Sequence, residues 1–253
     1  MLTVLSPAKT LDFESKVKTK KFTQPEFLDE AEYLVGKLRK KSSKQLQNLM
    51  DISPDLADLN HDRFASWSQP FDLDNARQAI FAFNGDVYDG FDVSQLKSDD
   101  LSYAQNHIRI LSGLYGVLRP LDLMQPYRLE MGTSLKVTPK KDSLYKFWSD
   151  SIAKQLNEEN DDEVLVNLAS QEYFKAVDQK ALKAKIVTPV FKDYKNGKYK
   201  VIAFFAKKAR GAMARFIVQN RINDPEQLQA FDEMDYAFNP NQSTADEPVF
   251  TRR

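Results

Sequence analysis

Two short apolar runs, residues 164–168 and 186–191, are rich in β-branched residues and enclose a segment compatible with a helix. That is the pattern of parallel strands joined by a crossover, and such strands must be covered on both faces. Residues 2–5 read as a further buried strand, ending in Ser6-Pro7-Ala8-Lys9-Thr10, so a lysine and two hydroxyls follow a strand's carboxyl end. Between these runs helical signals dominate. Pro25 precedes EFLDEAEYLVGKLRK, Ser43 can cap KQLQNLM, and Ser53-Pro54 opens DLADLNHDRFASW with apolar Leu56, Leu59 and Phe64. Residues 79–83 predict a strand before the turn Asn84-Gly85-Asp86. Ser98 or Asp99 starts a helix with Leu101, Ala104, Ile108 and Leu111 on one face, ending near Gly113. Leu144, Phe147, Trp148, Ile152 and Leu156 form the core stripe of another helix. Asn196-Gly197 marks a hairpin into a strand at 199–206, a helix follows at 207–222, Asn223-Asp224-Pro225 starts a short one, and 248–252 reads as a last strand. The expected fold class is α/β (mixed α+β), a single compact domain over residues 1–253 with a mixed central sheet flanked by helices.

The 253 residues are 42% apolar and 28% charged, which is enough for a sizeable core. Cysteine is absent and only His61 and His107 offer imidazole, so thiolate catalysis, disulfides and a tight zinc or haem site are not expected. Oxygen-ligand magnesium or calcium sites stay open on composition alone. No cofactor and no metal are assigned. No apolar run reaches the ~18 residues of a membrane span, and residues 1–6 lack the zones of a signal peptide, so the expectation is a cytoplasmic protein with no membrane partner.

Net charge is zero, yet the charges are sorted. Residues 175–221 carry ten Lys and three Arg against Asp178 and Asp193, whereas 224–247 carry seven acids and no Lys or Arg; NEENDDE at 157–163 is acidic too. Such asymmetry suggests an anionic partner, although a charge run is also what any solvated surface shows.

FAKKARGAMARF, residues 205–216, sets Lys207, Lys208 and Arg210 in what the pattern makes a first helical turn. Cations there oppose the helix dipole at a cost of about 0.3 to 1 kcal/mol each, which a bound phosphate would reverse. The competing reading is a helix that begins earlier. Leu111-Ser112-Gly113-Leu114-Tyr115-Gly116, after an amphipathic helix, is similar to the hairpin of helix-hairpin-helix units, whose amides grip a phosphate and whose glycines let the nucleic-acid backbone approach. Its glycines are wider apart than usual and Pro120 interrupts a second helix, so the alternative is a helix C-cap at Gly113 followed by a strand at 114–118, which the local pattern favours. Arg128 could hold a phosphate, with Glu130 orienting it or acting as a base; Glu172, beside Tyr173, is a second carboxylate past a strand's carboxyl end, where open α/β sheets bind ligands. A structural ion pair and a short connecting helix are the bland readings of these two. His107 reads as a satisfied helical histidine and His61 as surface.

SPAKTLDF, ARQAIFAFNGDVYDGF, RILSGLYGVLRPLDLMQPYRLEMG, VLVNLASQEYFKAV and FFAKKARGAMARFI follow one another along the chain, and in these blocks it resembles the peroxide-stress protein YaaA family of bacteria. The resemblance implies a cytoplasmic protein of the hydrogen peroxide response that limits oxidative damage and unincorporated iron. It also implies a mixed α/β fold with a positively charged cleft and a helix-hairpin-helix-like element that binds DNA, duplex or distorted. Carried onto this sequence, the hairpin falls on Leu111, Ser112, Gly113, Leu114, Tyr115 and Gly116, and the cleft cations on Lys9, Arg128, Lys207, Lys208 and Arg210. With so few soft or imidazole ligands, an effect on iron is expected to be indirect. The alternative is an enzyme acting on a nucleotide, base or small phosphorylated substrate, with Glu130 or Glu172 as acid or base.

Overall fold

The computed structural model describes residues 1–160 and 164–253, so the last three residues of the acidic run at 157–163 lie outside the described residues. Leu2–Leu5 (β1) is buried along its whole length. It pairs in parallel with Ile108–Ser112 (β2) on one side and, on the other, with the strand at Val164–Asn167. The sheet is completed by Gly116–Leu118 (β3), antiparallel to β2, and beyond Val164–Asn167 (β4) by the parallel Lys185–Val187 (β5), in the order β3-β2-β1-β4-β5. The expected crossover between the runs at 164 and 186 is therefore present. The second run splits, because Thr188 and Pro189 separate β5 from Val190–Lys195 (β6), which belongs to another sheet. That sheet adds Lys198–Lys200 (β7), Ala237–Phe238 (β8) and Val249–Arg252 (β9), ordered β7-β6-β9-β8. Asn196 (φ 55) and Gly197 (φ 79) turn the β6–β7 hairpin as the Asn-Gly pair predicts.

Three helices fall within the first 66 residues: Leu28–Leu38 (α1), Ser43–Met50 (α2) and Pro54–Ser66 (α3). Ser42, not Ser43, caps α2, in a reciprocal capping box with Gln45. Ser53 caps α3 with Pro54 in its first turn, but the helix turns Ala57, Asn60 and Phe64 inward and leaves Leu56 and Leu59 exposed. The strand expected at 79–83 is a helical turn, Ala79–Ala82, which leads to the short helix Asp86–Phe91 (α4).

The helix Ser98–His107 (α5) ends six residues before Gly113. The next residues keep its apolar phase but form β2, since Ile108, Arg109 and Ile110 find hydrogen-bonding partners on Thr3, Val4 and Leu5 of β1. The stripe Leu144, Phe147, Trp148, Ile152 and Leu156 is buried as expected, on two helices, Leu144–Trp148 (α6) and Ser151–Glu158 (α7), divided at Ser149 (φ 48). After α7 come the turn Gln171–Phe174 (α8) and the long helix Ala203–Gln219 (α9).

Helices α4 and α9 pack backbone to backbone. A Cβ on Gly211 would overlap the Val87 carbonyl oxygen, and one on Gly90 would overlap that of Lys208. Arg215 fastens the same seam, donating to Gly90 O at 2.8 Å. Overpacked sites cost about 1 to 3 kcal/mol, and this one faces rigid backbone. Gly211→Ala is therefore expected to lose about 3 kcal/mol in urea denaturation. Gly36→Ala in α1, where the added Cβ meets nothing within 4 Å, should gain about 1 kcal/mol of helix propensity. Equal midpoints for the two variants would contradict the close contact.

Candidate functional site

The carboxyl ends of β1, β2 and β4 open on one edge of the five-stranded sheet, and the segments that follow them are tied together there. Ser170 N–H donates to Ser6 Oγ (2.8 Å), and the two hydroxyls of Ser6 and Ser170 lie 3.3 Å apart. Past β1, Lys9 Nζ reaches Glu130 Oε2 at 2.7 Å. Arg128 Nη2 donates to the other oxygen, Glu130 Oε1, at 3.0 Å. Past β4, Glu172 Oε1 accepts the Gly132 N–H at 2.9 Å. The structure thus brings together four residues that the sequence singles out, Lys9, Arg128, Glu130 and Glu172, from three separate segments. One valence is left over: Arg128 Nε is buried with no acceptor among the described residues. That N–H is sealed from solvent, so an incoming anion would meet Arg128 at its terminal nitrogens.

Beneath these charges lie tyrosines. Tyr127 and Ser112 share a buried hydroxyl pair at 2.6 Å, and Tyr88 donates to Ser6 O at 3.1 Å. Burial raises the pKa of Tyr88, Tyr127 and Tyr173 well above the ordinary phenol value; for Tyr173 the charges of Tyr127, Glu172 and Glu130 add to it. These hydroxyls remain protonated donors at neutral pH. Tyr88 could not be found from sequence, since its partner Ser6 is 82 residues away.

The hairpin is not what the resemblance implies. Leu111 to Gly116 joins two β-strands instead of two helices, and Leu111, Ser112, Gly113, Leu114, Tyr115 and Gly116 are all buried. Its amides are spent internally: Leu114 and Tyr115 N–H donate to Ser112 Oγ at 3.2 and 2.9 Å. The two glycines serve packing, Gly113 against the Leu129 carbonyl and Gly116, at φ 66, against the Trp148 ring. A phosphate has no access to this turn; the hairpin packs against the segment Arg128 to Glu130 through the Gly113–Leu129 contact.

The dipole argument also changes. Helix α9 begins at Ala203, so Lys207, Lys208 and Arg210 fall in its second and third turns. Val201 and Ile202 leave the sheet early, and Phe204 and Phe205, which suit a strand as well as a helix, form the first turn. Lys207 faces Asp86 at 4.0 Å and Lys208 faces Asp89 at 3.9 Å, both on α4. Asp86 follows Gly85, whose backbone lies against Ala8, so Lys207 neighbours the Lys9 edge. Arg210 is half-buried with no hydrogen-bond or carboxylate partner among the described residues, and burial lowers its guanidinium pKa. His107 stacks on Tyr103 and bonds its carbonyl, as a structural helical histidine does.

A groove of about 770 Å³ is lined by Lys16, Lys18, Lys21 and Arg77, by Asp12, Asp89 and Asp92, and by apolar residues that include Phe81 and Leu96. Among the described residues no three His, Asp or Glu converge as a metal-binding group, and no helix is long and apolar enough to cross a membrane.

The fold is of the mixed α/β class, with cations and carboxylates gathered at the carboxyl edge of its main sheet. The comparison narrows this: a family profile described as peroxide stress protein YaaA matches residues 1–242, and the chain belongs to that family. It is similar to a UPF0246 protein of Alteromonas mediterranea, 57% identical over 255 residues that cover 100% of this chain and 98% of the relative. The family's description fits a role in oxidative stress.

Because Ser112 Oγ satisfies two amides and a phenol in a buried turn, Ser112→Ala should cost about 3 kcal/mol, read by urea denaturation, from the groups it strands. Any anion affinity of the folded fraction should stay within about twofold, as expected of a structural turn.

Proposed function

We propose that this protein acts in the peroxide response by binding nucleic-acid phosphates at the carboxyl edge of the sheet, with Lys9 and Arg128 as the inner cations and Lys207, Lys208 and Arg210 beside them. The partner is DNA, duplex or distorted, in the cytoplasm. The observation that carries the reading is the shared carboxylate: Glu130 holds Lys9 and Arg128 at 2.7 and 3.0 Å. Two cations gathered on one acid form a preassembled anion receptor whose counter-ion is internal. Phosphate contacts of this kind position nucleic acid without reading its bases, and limiting damage would follow from shielding the backbone. An effect on unincorporated iron would run through other molecules, since the donors at this site are amines, guanidinium and carboxylates.

The second reading, an enzyme acting on a nucleotide, base or small phosphorylated substrate, draws support from Glu130 and Glu172 lying near one another at the sheet edge beside protonated tyrosines. The two readings give Glu130 opposite roles. As a counter-ion it competes with phosphate, so Glu130→Gln should tighten DNA binding by about three- to tenfold in anisotropy titrations. As an acid or base it would be required for turnover, and its loss would bring no gain in affinity.

Salt provides a further measurement. With about five phosphates neutralised, log affinity for duplex should fall with log salt at a slope near −4 to −5, and Lys9→Ala with Arg128→Ala should flatten it by about 2. A slope that does not respond to those substitutions would remove the cleft from the reading. A nucleotide and phosphosugar panel that raises the melting temperature where duplex does not would favour the enzyme.

A further inference from the structure

The second sheet carries one covered face and one open face. On β6, Phe191 and Asp193 point inward, where Phe191 packs on Phe231 and Phe250 and Asp193 takes Tyr236 OH at 2.9 Å. Alternation sends Lys192 and Tyr194 to the other side. Tyr194 pairs directly across from Tyr199 on β7, and Lys192 from Thr251 on β9, so Arg253 stands next to Tyr194 on the same face. The contacts agree: the Tyr194 and Tyr199 rings meet at 5.2 Å, the Arg253 guanidinium lies 5.5 Å from the Tyr194 ring centre, and Arg253 Nε donates to Tyr199 OH at 3.3 Å.

This face is open and one-signed. Tyr194 is 47% exposed and Val201, just past β7, 52%. Among the described residues the strand register puts no Asp or Glu side chain on it; Lys192 and Arg253 share it with Tyr194 and Tyr199, while the pairs Lys195–Lys198 and Asp193–Lys200 fall on the opposite face. The chain passes from β7 almost directly into α9, whose Phe204 is 50% exposed with Lys208 Nζ 4.9 Å from its ring centre. Aromatic faces interleaved with cations thus continue from the hairpin to the start of α9.

Folding does not require these rings to be exposed. An edge hairpin is kept soluble by its lysines alone, and large apolar rings on its open face cost solubility without burying area. Bases that have left a duplex are the partner that uses both features, stacking on the rings while the cations take the phosphates; paired bases in a duplex present no such faces. We propose that the outer face of the β6–β7 hairpin is a binding platform for single-stranded DNA, with Tyr194 and Tyr199 as the stacking surface and Lys192 and Arg253 as the phosphate contacts. The strand is taken as DNA, the polymer proposed for the sheet edge, and RNA of the same length is an outcome of the test. The platform is separate from the sheet-edge cleft and stands without it.

The test uses the full chain with labelled oligothymidine of about twelve nucleotides, oligouridine of the same length, and a blunt hairpin duplex. Tyr194→Ala and the Tyr194→Ala, Tyr199→Ala double variant should weaken oligothymidine binding by about five- to a hundredfold. Tyr194→Phe, which keeps the ring, should stay within about twofold of wild type. Duplex affinity and the urea midpoint of Tyr194→Ala should hardly move. The proposal is overturned if Tyr194→Ala binds oligothymidine as the wild type does, if duplex binding falls equally, or if oligouridine binds more tightly than oligothymidine. Lys9→Ala with Arg128→Ala, measured in parallel, separates the two sites: normal duplex binding there defeats the cleft reading and leaves the platform untouched.

Discussion

The geometry of the main sheet depends on one buried strand that is hydrogen-bonded on both sides. Leu2–Leu5 runs parallel to Ile108–Ser112 and to Val164–Asn167, and a parallel neighbour can be reached only by a crossover that brings the chain back to the starting edge. Every such return delivers another carboxyl end to the same edge. Lys9 leaves that edge after the first strand and Glu172 after the fourth. Arg128 and Glu130 arrive indirectly: the turn after the second strand has a glycine, Gly113, whose missing Cβ admits the Leu129 carbonyl. The charged cluster follows from burying the four residues Leu2 to Leu5 between two parallel partners, with the glycine setting how closely the last segment can approach.

What could be read in the sequence, and what could not, follows from where the deciding contacts lie. Strands buried on both faces give unbroken apolar runs, so residues 2–5 and 164–167 announce themselves, and with them the strand-end residues Lys9 and Glu172. The run Ile108-Arg109-Ile110-Leu111 continues the helical phase of the ten residues before it; pairing with β1, more than a hundred residues earlier, decides against the helix. The same pairing turned the presumed phosphate-gripping hairpin into a buried β-turn. Helix α9 starts four residues sooner than the charge pattern implies, since Ala203, Phe204, Phe205 and Ala206 satisfy either periodicity and the packing of Gly211 on α4 selects the helix. Tyr88 was invisible for a related reason: a tyrosine becomes part of a site only through its partner, here a carbonyl on a distant strand end.

The cations near the sheet edge are held in two ways, and this matters for an anionic ligand. Lys9 and Arg128 make short contacts with Glu130, whereas Lys207 and Lys208 stand 4.0 and 3.9 Å from their acids on α4. Exposed pairs at the longer separation contribute little, being screened by salt and opposed by side-chain entropy. Those lysines can turn to a phosphate at small cost. The inner pair is different, because Arg128 is mostly buried and would be left uncompensated without Glu130. Glu130 therefore compensates the buried Arg128 and draws Lys9 to it, whereas the acids on α4 hold Lys207 and Lys208 only loosely.

The surplus of positive charge between residues 175 and 221 is also not one surface. Arg215 is committed to Glu233 and Gly90 O, Arg221 to Asp100, and Lys185 to Asp246, so these charges maintain the fold. Asp193, the one acid in the hairpin strand, is turned inward to Arg252 and Tyr236. Lys175 lies over the Tyr145 ring, away from the hairpin. Lys192, Lys195, Lys198 and Lys200 belong to the hairpin, on both of its faces, and Lys207, Lys208 and Arg210 to α9. The short link from β7 to α9 keeps these last two groups close along the chain.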